Sequence, residues 1–453
     1  MRRGIAALQG EAANADLELA AAAAEPAPPS RALAALRHPS FRRYSIGVFL
    51  SLVGNWIEAG AFGYVVLLLG GSAAALGLIG FLSTIPNLLL ALPAGALADH
   101  HDRRKLLLLF QGLNLFVAGS LAALWVTGHL TVPLMGVIAI VGGSLGTLSF
   151  PAFQGMLAAT VPARDLESAV AINSLSLQLA RFVGPAIAGV LLATAGPGWV
   201  FGVNAVSFFA VLAALALLPG VGRTATETAG IVGGAMRAGL RYVFENRSLS
   251  SLMALMVLAG LFGTPPVAFM VPAIARFQLD GGAGTVGTLM ALIGLGSFIG
   301  SIVLLRLARR ANKGEPMLAG FFATAAAIAV FGFSTSAPLS YAVAVLGGIG
   351  GVVFIGLSTV VVQSTASDEM RARAMAIWAA AFVGMLPFGA LLTGALTAAV
   401  GPGTAVLIDG LCVGLGGLVV LLLRPHVAWL GCAALPEACV AAVQPEAVAT
   451  ATR

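Results

Sequence analysis

Apolar and polar positions do not alternate along this chain; they come in blocks. Runs of about 20 or more mostly apolar residues recur from about residue 44 to residue 423, parted by short polar punctuation. Each run is long enough to cross a hydrocarbon core of roughly 30 Å as a helix. Twelve are counted: 44–69, 73–98, 106–127, 132–156, 168–194, 198–218, 248–274, 284–305, 316–334, 338–364, 372–398 and 402–423, numbered here as spans 1 to 12. Proline stands inside several of them, at Pro86, Pro93, Pro151, Pro185, Pro265, Pro266 and Pro387. Neighbouring helices can satisfy the carbonyls that proline frees, so kinks rather than breaks are predicted.

Composition removes any soluble reading. Of the 453 residues 59% are hydrophobic and only 9% charged, with a mean hydropathy of +0.99, too few charges to cover a surface in water. The 57 glycines suit close helix packing in lipid. The expected fold class is all-α integral membrane, with twelve transmembrane helices.

Charge sets the orientation. With both termini inside, 22 of the 24 Lys and Arg fall in the tails and inner loops; the exceptions are Arg181, within span 5, and Arg276, on the outer side. The opposite orientation would reverse that count, so both termini are placed in the cytoplasm of an inner, plasma-membrane protein. The net charge of +6 then reflects inward-facing bases near anionic lipid, and no nucleic-acid partner is implied. Cys412 lies in a span, while Cys432 and Cys439 lie in a cytoplasmic tail where disulfides are not expected.

Sliding the sequence against itself by 205 residues makes its punctuation coincide. Gly95 meets Gly300, Arg104 and Lys105 meet Arg309 and Arg310, Gly184 and Gly189 meet Gly389 and Gly394, "GPG" at 196 meets "GPG" at 401, and Asn204 meets Asp409. One ungapped offset predicts two parallel six-helix halves, related by an axis normal to the membrane. The expected organisation is a flexible N-terminal tail 1–36, a first half 37–218, a basic linker 219–247, a second half 248–424 and a C-terminal tail 425–453. The linker segment "AMRAGLRYVFENR" reads as an amphipathic surface helix, and a short interfacial helix is expected around Trp429.

"GALADHHDRRK", residues 95–105, stands in the turn after span 2, with a degenerate echo after span 8. Here the chain resembles the major facilitator superfamily, whose signature in this turn is Gly-x-Leu-Ala-Asp followed by bases. Gly95, Leu97, Ala98, Asp99, Arg103, Arg104 and Lys105 match it. A second element of the superfamily, associated with its exporters, is matched in span 5 by Gly184, Pro185 and Gly189, with Ala188 where glycine is often found. "LRHPSFRRY" and "RFVGPAIAG" are most similar to the branch that contains siderophore and macrolide exporters. The resemblance implies an alternating-access carrier. It also implies that Asp99 latches onto the other half near the start of span 11, where Arg371 and Arg373 stand. The competing reading of the same cluster is that its bases only enforce topology and Asp99 offsets them.

Charges inside the membrane are the remaining candidates. In span 1, Ser51, Asn55 and Glu58 share one helix face, as Ser174, Gln178 and Arg181 do in span 5; Ser144, Thr147, Pro151 and Gln154 follow a similar face of span 4. Glu58 and Arg181 stand at matching depths, about 20 Å from the inner side at 1.5 Å per residue. A lone charge there costs at least about 2.5–3.5 kcal/mol on insertion scales. The two are therefore expected to pair, directly or through water, beside a substrate path, with Glu58 as the proton-coupling carboxyl. The bland alternative is a structural ion pair without a role in transport. Asp409 is read as a local helix–helix contact. Phe262, Phe269, Met270, Met290 and Trp378 are candidates for an apolar wall in the second half, hinting at an amphipathic substrate.

No catalytic or metal-binding motif appears, and the five histidines are scattered in tails and loops, so an enzyme, a cofactor and a metal are not expected. With no nucleotide-binding loop, transport is expected to be secondary. The reading is a monomeric secondary exporter of a small organic or amphipathic molecule, drug or siderophore-like, driven by protons. An importer or uniporter on the same scaffold, or a transport-inactive sensor or assembly protein, stays open.

Overall fold

A computed structural model describes residues 33–218 and 232–430. The expected flexible N-terminal tail up to residue 32, linker residues 219–231, and the C-terminal tail from 431 with Cys432 and Cys439 lie outside the described residues.

Each apolar block forms a helix because, in lipid, only helices and closed barrels satisfy every backbone polar group internally. The twelve spans are Pro39–Leu68, Ala73–His100, Arg103–Val126, Val132–Ala159, Ala163–Thr194, Pro197–Ala216, Arg247–Phe269, Ala283–Leu307, Gly314–Phe333, Ala337–Thr365, Asp368–Val400 and Pro402–Leu423. The ends differ from the sequence reading by a few residues for local reasons. Span 1 starts earlier because Pro39 occupies its first turn. Spans 2, 3 and 7 start where Ser72, Asp102 and Asn246 accept hydrogen bonds from the first free backbone amides. The two "GPG" motifs adopt one conformation: Gly196 and Gly401 have φ of 84° and 83°, and each is followed by proline opening the next helix.

Proline breaks none of spans 2, 4 and 5, which remain α-helical through Pro86, Pro93, Pro151 and Pro185. Span 7 stops at Phe269, ahead of a separate helix, Val271–Phe277. The ladder changes within span 7 by a π turn over Ala259–Gly263 before Pro265, and within span 11 by a 3-10 turn over Val383–Met385 before Pro387. These two turns face each other, and a methyl group at Gly260 would meet the Phe382 carbonyl oxygen at 2.5 Å.

The two halves pack alike. Span 1 lies on span 6, span 2 on span 4, and span 3 on spans 4 and 6; span 8 on span 10, and span 9 on spans 10 and 12, repeat the pattern. Across the halves, span 5 packs on span 8 and span 11 on span 2. Glycine permits both crossings. A methyl group at Gly189 would meet the Cα of Gly287 at 2.8 Å, and one at Gly394 would meet the Cα of Gly77 at 2.7 Å. Gly189 and Gly394 stand 205 residues apart, but Gly77 and Gly287 stand 210 apart. The single ungapped offset therefore drifts by five residues at the start of spans 2 and 8.

These crossings close only one end of the molecule. Toward the face opposite the chain ends, one continuous core contains residues of both halves, such as Ile57, Leu76, Ile274 and Leu289. Toward the face carrying Pro39 and Leu423, the core divides. One cluster, around Phe41, Leu107 and Phe208, belongs to the first half; the other, around Leu252, Phe321 and Phe354, belongs to the second. The halves are joined at the opposite face and separated at the terminal face. The linker helix, Val232–Glu245, lies on the second half, where the Tyr242 hydroxyl accepts from the Ser367 amide at 3.1 Å. In place of the expected helix around Trp429, a 3-10 turn, Pro425–Trp429, leads to Leu430, whose carbonyl accepts from the Lys313 and Gly314 amides.

Candidate substrate cavity

Between the halves lies a cavity of about 700 Å³. Its chemistry is divided. Ser51, Asn55 and Glu58 of span 1, Gln111 and Asn114 of span 3, Gln154 of span 4, and Asn173 and Arg181 of span 5 all line it, and all come from the first half. The second half contributes Thr264, Val267, Ala268, Phe269, Pro272, Met290 and Ile293, with one hydroxyl among them. Helical spacing explains the first wall: Ser51, Asn55 and Glu58 lie along one face of an uninterrupted helix.

Of the two arrangements expected for Glu58 and Arg181, pairing directly or through water, the direct ion pair is not formed. Asn204 of span 6 donates its side-chain N–H to Glu58 Oε2 at 2.6 Å, and the Ser207 hydroxyl donates to Asn204 Oδ1 at 3.2 Å. The Arg181 guanidinium lies over the Trp56 indole instead, 5.4 Å from the ring centroid. Span 1 crosses span 5 closely because Gly184 lacks a side chain; a methyl group there would strike Trp56. That crossing brings the indole to the arginine, and a cation over an indole face is attracted by the ring quadrupole.

The other span 5 candidates take different positions. Gln178 reaches the second half, donating to the Ser301 hydroxyl at 2.8 Å and the Ser297 carbonyl at 3.4 Å, while Ser174 is exposed and outside the cavity wall. Of the span 4 face, Gln154 lines the cavity; Ser144 donates to the Ile140 carbonyl and Thr147 to Asn87. Pro185 lines the cavity and Gly189 sits at the crossing with span 8. Phe269 and Met290 belong to the apolar wall, but Phe262, Met270 and Trp378 do not. Phe262 and Met270 are packing residues, and the Trp378 indole donates to Ser358 at 3.1 Å. Asp409, fully buried, accepts from the Thr393 hydroxyl at 2.8 Å, a contact between spans 12 and 11.

Among the described residues, no hydrogen bond or ion pair joins the turn after span 2 to the second half. Asp99 lies 3.8 Å from Arg103 of its own turn, and a methyl group at Gly95 would meet no atom within 4 Å. Arg371 pairs with Asp368 and donates to the Gln363 carbonyl; Arg373 reaches Met370. The reason is the divergence of spans 2 and 11, which touch at Gly77 and Gly394 and part toward the terminal face. Arg104 serves its own half, donating to the Leu215 and Ala216 carbonyls at 2.7 and 2.6 Å and so capping the end of span 6. The backbone amides of Arg104 and Lys105 donate to Asp102.

Trp56, Gln111, Asn114, Asn173 and Asn204 were not identified from sequence as cavity residues. Gln111 and Asn114 carried a usable signal, since they are the only carboxamides in span 3 and stand i, i+3 on one face. Trp56 carried none.

A family model described as "Transmembrane secretion effector" matches residues 30–434. The chain belongs to the transmembrane secretion effector family. It is a multi-pass transmembrane transporter of the major facilitator superfamily, related to its siderophore-exporter branch. Among curated relatives, the enterobactin exporter EntS of Shigella flexneri is 27% identical over 389 residues, covering 85% of this chain and 92% of the relative. The EntS of Citrobacter koseri is 26% identical over 390 residues, with the same coverage. Among solved structures, the nucleoside transporter NupG matches with a TM-score of 0.69 at 12% identity, over 85% of this chain and 98% of that one. The D-xylose–proton symporter matches with 0.66 at 14%, over 84% and 96%. At those identities the structures show the shared fold. Among the described residues of this transporter no group of three His, Cys, Asp or Glu side chains could hold a metal ion.

Proposed function

We propose that this family member exports a small organic molecule across the inner membrane in exchange for protons, by alternating access. The observation that carries the reading is the cavity, open between the halves toward the terminal face and holding one carboxylate, Glu58, and one cation, Arg181, on its first-half wall. With both termini in the cytoplasm, as the distribution of bases favours, this is the inward-facing state of a carrier that loads from the cytoplasm. The relatives named as exporters support the outward direction, and the buried charges argue against an inactive scaffold. Glu58 releases its proton on the cytoplasmic side and takes one up when the cavity faces outward; in the state seen here its Oε2 accepts from Asn204. In the outward-facing state spans 2 and 11 close at the terminal face, and Asp99 meets the start of span 11 near Arg371.

The test is uptake into inside-out vesicles with an acid interior, using a panel of siderophores, macrolides and other amphipathic compounds. Accumulation of one compound that collapses when the gradient is dissipated supports proton-driven export. Accumulation that ignores the gradient contradicts it.

A further inference from the structure

We propose, building on that reading of the cavity, that its ligand is an amphipathic organic anion, held with its acidic head at Arg181 and its apolar body against the second half. Arg181 is the one cation among the lining residues, and no described carboxylate lies within 4 Å of it. The one lining carboxylate, Glu58, is already engaged by Asn204. The wall therefore presents an arginine whose charge is met only by the face of Trp56. A guanidinium retains its planar fork of donors when one face is stacked, so its edge can still bind a carboxylate or a similar oxyanion in two-point fashion.

Four further side chains extend this polar wall. Asn55, Asn114, Gln154 and Asn173 line the cavity, and none makes a side-chain hydrogen bond to another described residue. Carboxamides both donate and accept, so they suit the hydroxyl, amide or carbonyl groups that flank an acidic head. Across from them, Val267, Phe269, Pro272, Met290 and Ile293 offer apolar surface with no charge. A ligand polar at both ends would forgo the apolar burial that this second-half surface offers. A neutral apolar ligand would leave Arg181 unmatched. An amphiphilic cation would meet a repelling arginine on the same wall as Glu58, whose Oε2 already accepts from Asn204. The volume, about 700 Å³, fits a drug-sized molecule.

The experiment uses three matched probes: 11-(dansylamino)undecanoic acid, its primary carboxamide, and the corresponding terminal amine. Equilibrium binding to the full chain in nanodiscs is measured above the signal of empty nanodiscs, for wild type, Arg181→Gln and Arg181→Lys. Wild type is expected to bind the acid about tenfold or more tightly than the amide, as a charge-assisted pair with a shielded guanidinium does. Arg181→Gln is expected to bind acid and amide alike, its retained amide binding showing that the fold is intact; Arg181→Lys keeps part of the preference. Equal binding of acid and amide by wild type overturns the proposal, and so does tightest binding of the amine. If Arg181→Gln does not fold, the wild-type comparison of acid with amide decides alone. Because binding is read without a gradient, a carrier that prefers the acid but moves no protons refutes proton coupling and leaves this assignment standing. One that exports neutral and acidic probes alike does the reverse.

Discussion

Asn204 of span 6 donates a 2.6 Å hydrogen bond to Glu58 of span 1, so the cavity's one carboxylate is held by an amide and not by the cavity's one arginine. The two charged residues of the cavity wall have different direct partners. On the proposed reading this leaves Glu58 for a proton and Arg181 for a ligand.

The crossing of Gly189 over Gly287 is expected to control which face is open. Gly189→Leu places a side chain where the Gly287 Cα lies 2.8 Å from a single added carbon, wedging the halves apart at the opposite face. In a background with Cys412, Cys432 and Cys439 replaced, thiol labelling of Leu76→Cys from the opposite side should accelerate several-fold. Gly112→Leu serves as the control, because a methyl group there meets nothing within 4 Å. Unchanged labelling in Gly189→Leu contradicts the closure described for this face.

The proposed latch is expected to form in the other conformation. Asp99→Cys and Arg371→Cys should cross-link slowly in wild type, since Asp99 rests beside Arg103 and Arg371 beside Asp368. Adding Gly189→Leu should speed the cross-link, and Asp99→Asn should slow interconversion while ligand binding persists. Lost binding with an intact fold would remove the latch reading.

Most of the fold and part of the site are legible in the sequence, and the failures share a cause. Twelve spans follow from block length alone, and the stripe of Ser51, Asn55 and Glu58 reaches the cavity because i, i+4, i+7 spacing defines a face whatever it faces. The same spacing in span 5 defines a face without saying what lies opposite. Gln178 meets Ser301 of span 8, and Arg181 meets Trp56, because helix rotation and the crossing at Gly184 decide those partners. For Asp99 the structure gives the partner in one conformation only, Arg103 of its own turn, and a sequence does not say which conformation a contact belongs to.

Arg104 is expected to act on stability more than on transport. Its guanidinium donates to the Leu215 and Ala216 carbonyls at the end of span 6, where the helix dipole also favours a cation. Arg104→Ala should cost about 1–3 kcal/mol, read as a lower thermal midpoint in detergent, with ligand affinity unchanged at low temperature. A full loss of transport without loss of stability would place Arg104 in the moving machinery instead.

His426 is expected to make the C-terminal strap, the 3-10 turn Pro425–Trp429 with Leu430, sensitive to pH. Burial holds its imidazole below the usual histidine range; the charges of Arg424 and Arg247 push the same way, and a hydrogen bond to the Arg247 backbone opposes them. The folded state therefore resists protonation more than the unfolded strap does. Its stability is complete above the ordinary histidine value near 6.5 and falls as the pH drops below that value. Hydrogen exchange at residues 425–430 should be slow at pH 8 and faster at pH 5.5, after correction for intrinsic rates, with His426→Leu removing the difference. A strap equally protected at both pH values would show that His426 does not titrate on opening.

The measurement closest to the central claim is proton movement in inside-out vesicles holding a preformed acid interior, with a transported compound added to wild type and to Glu58→Gln. The account predicts that the compound dissipates the gradient through wild type, and that Glu58→Gln abolishes proton movement while still binding the compound. Equal proton movement through both proteins would contradict the assignment of coupling to Glu58. Compound export with no proton movement through wild type would contradict proton exchange altogether.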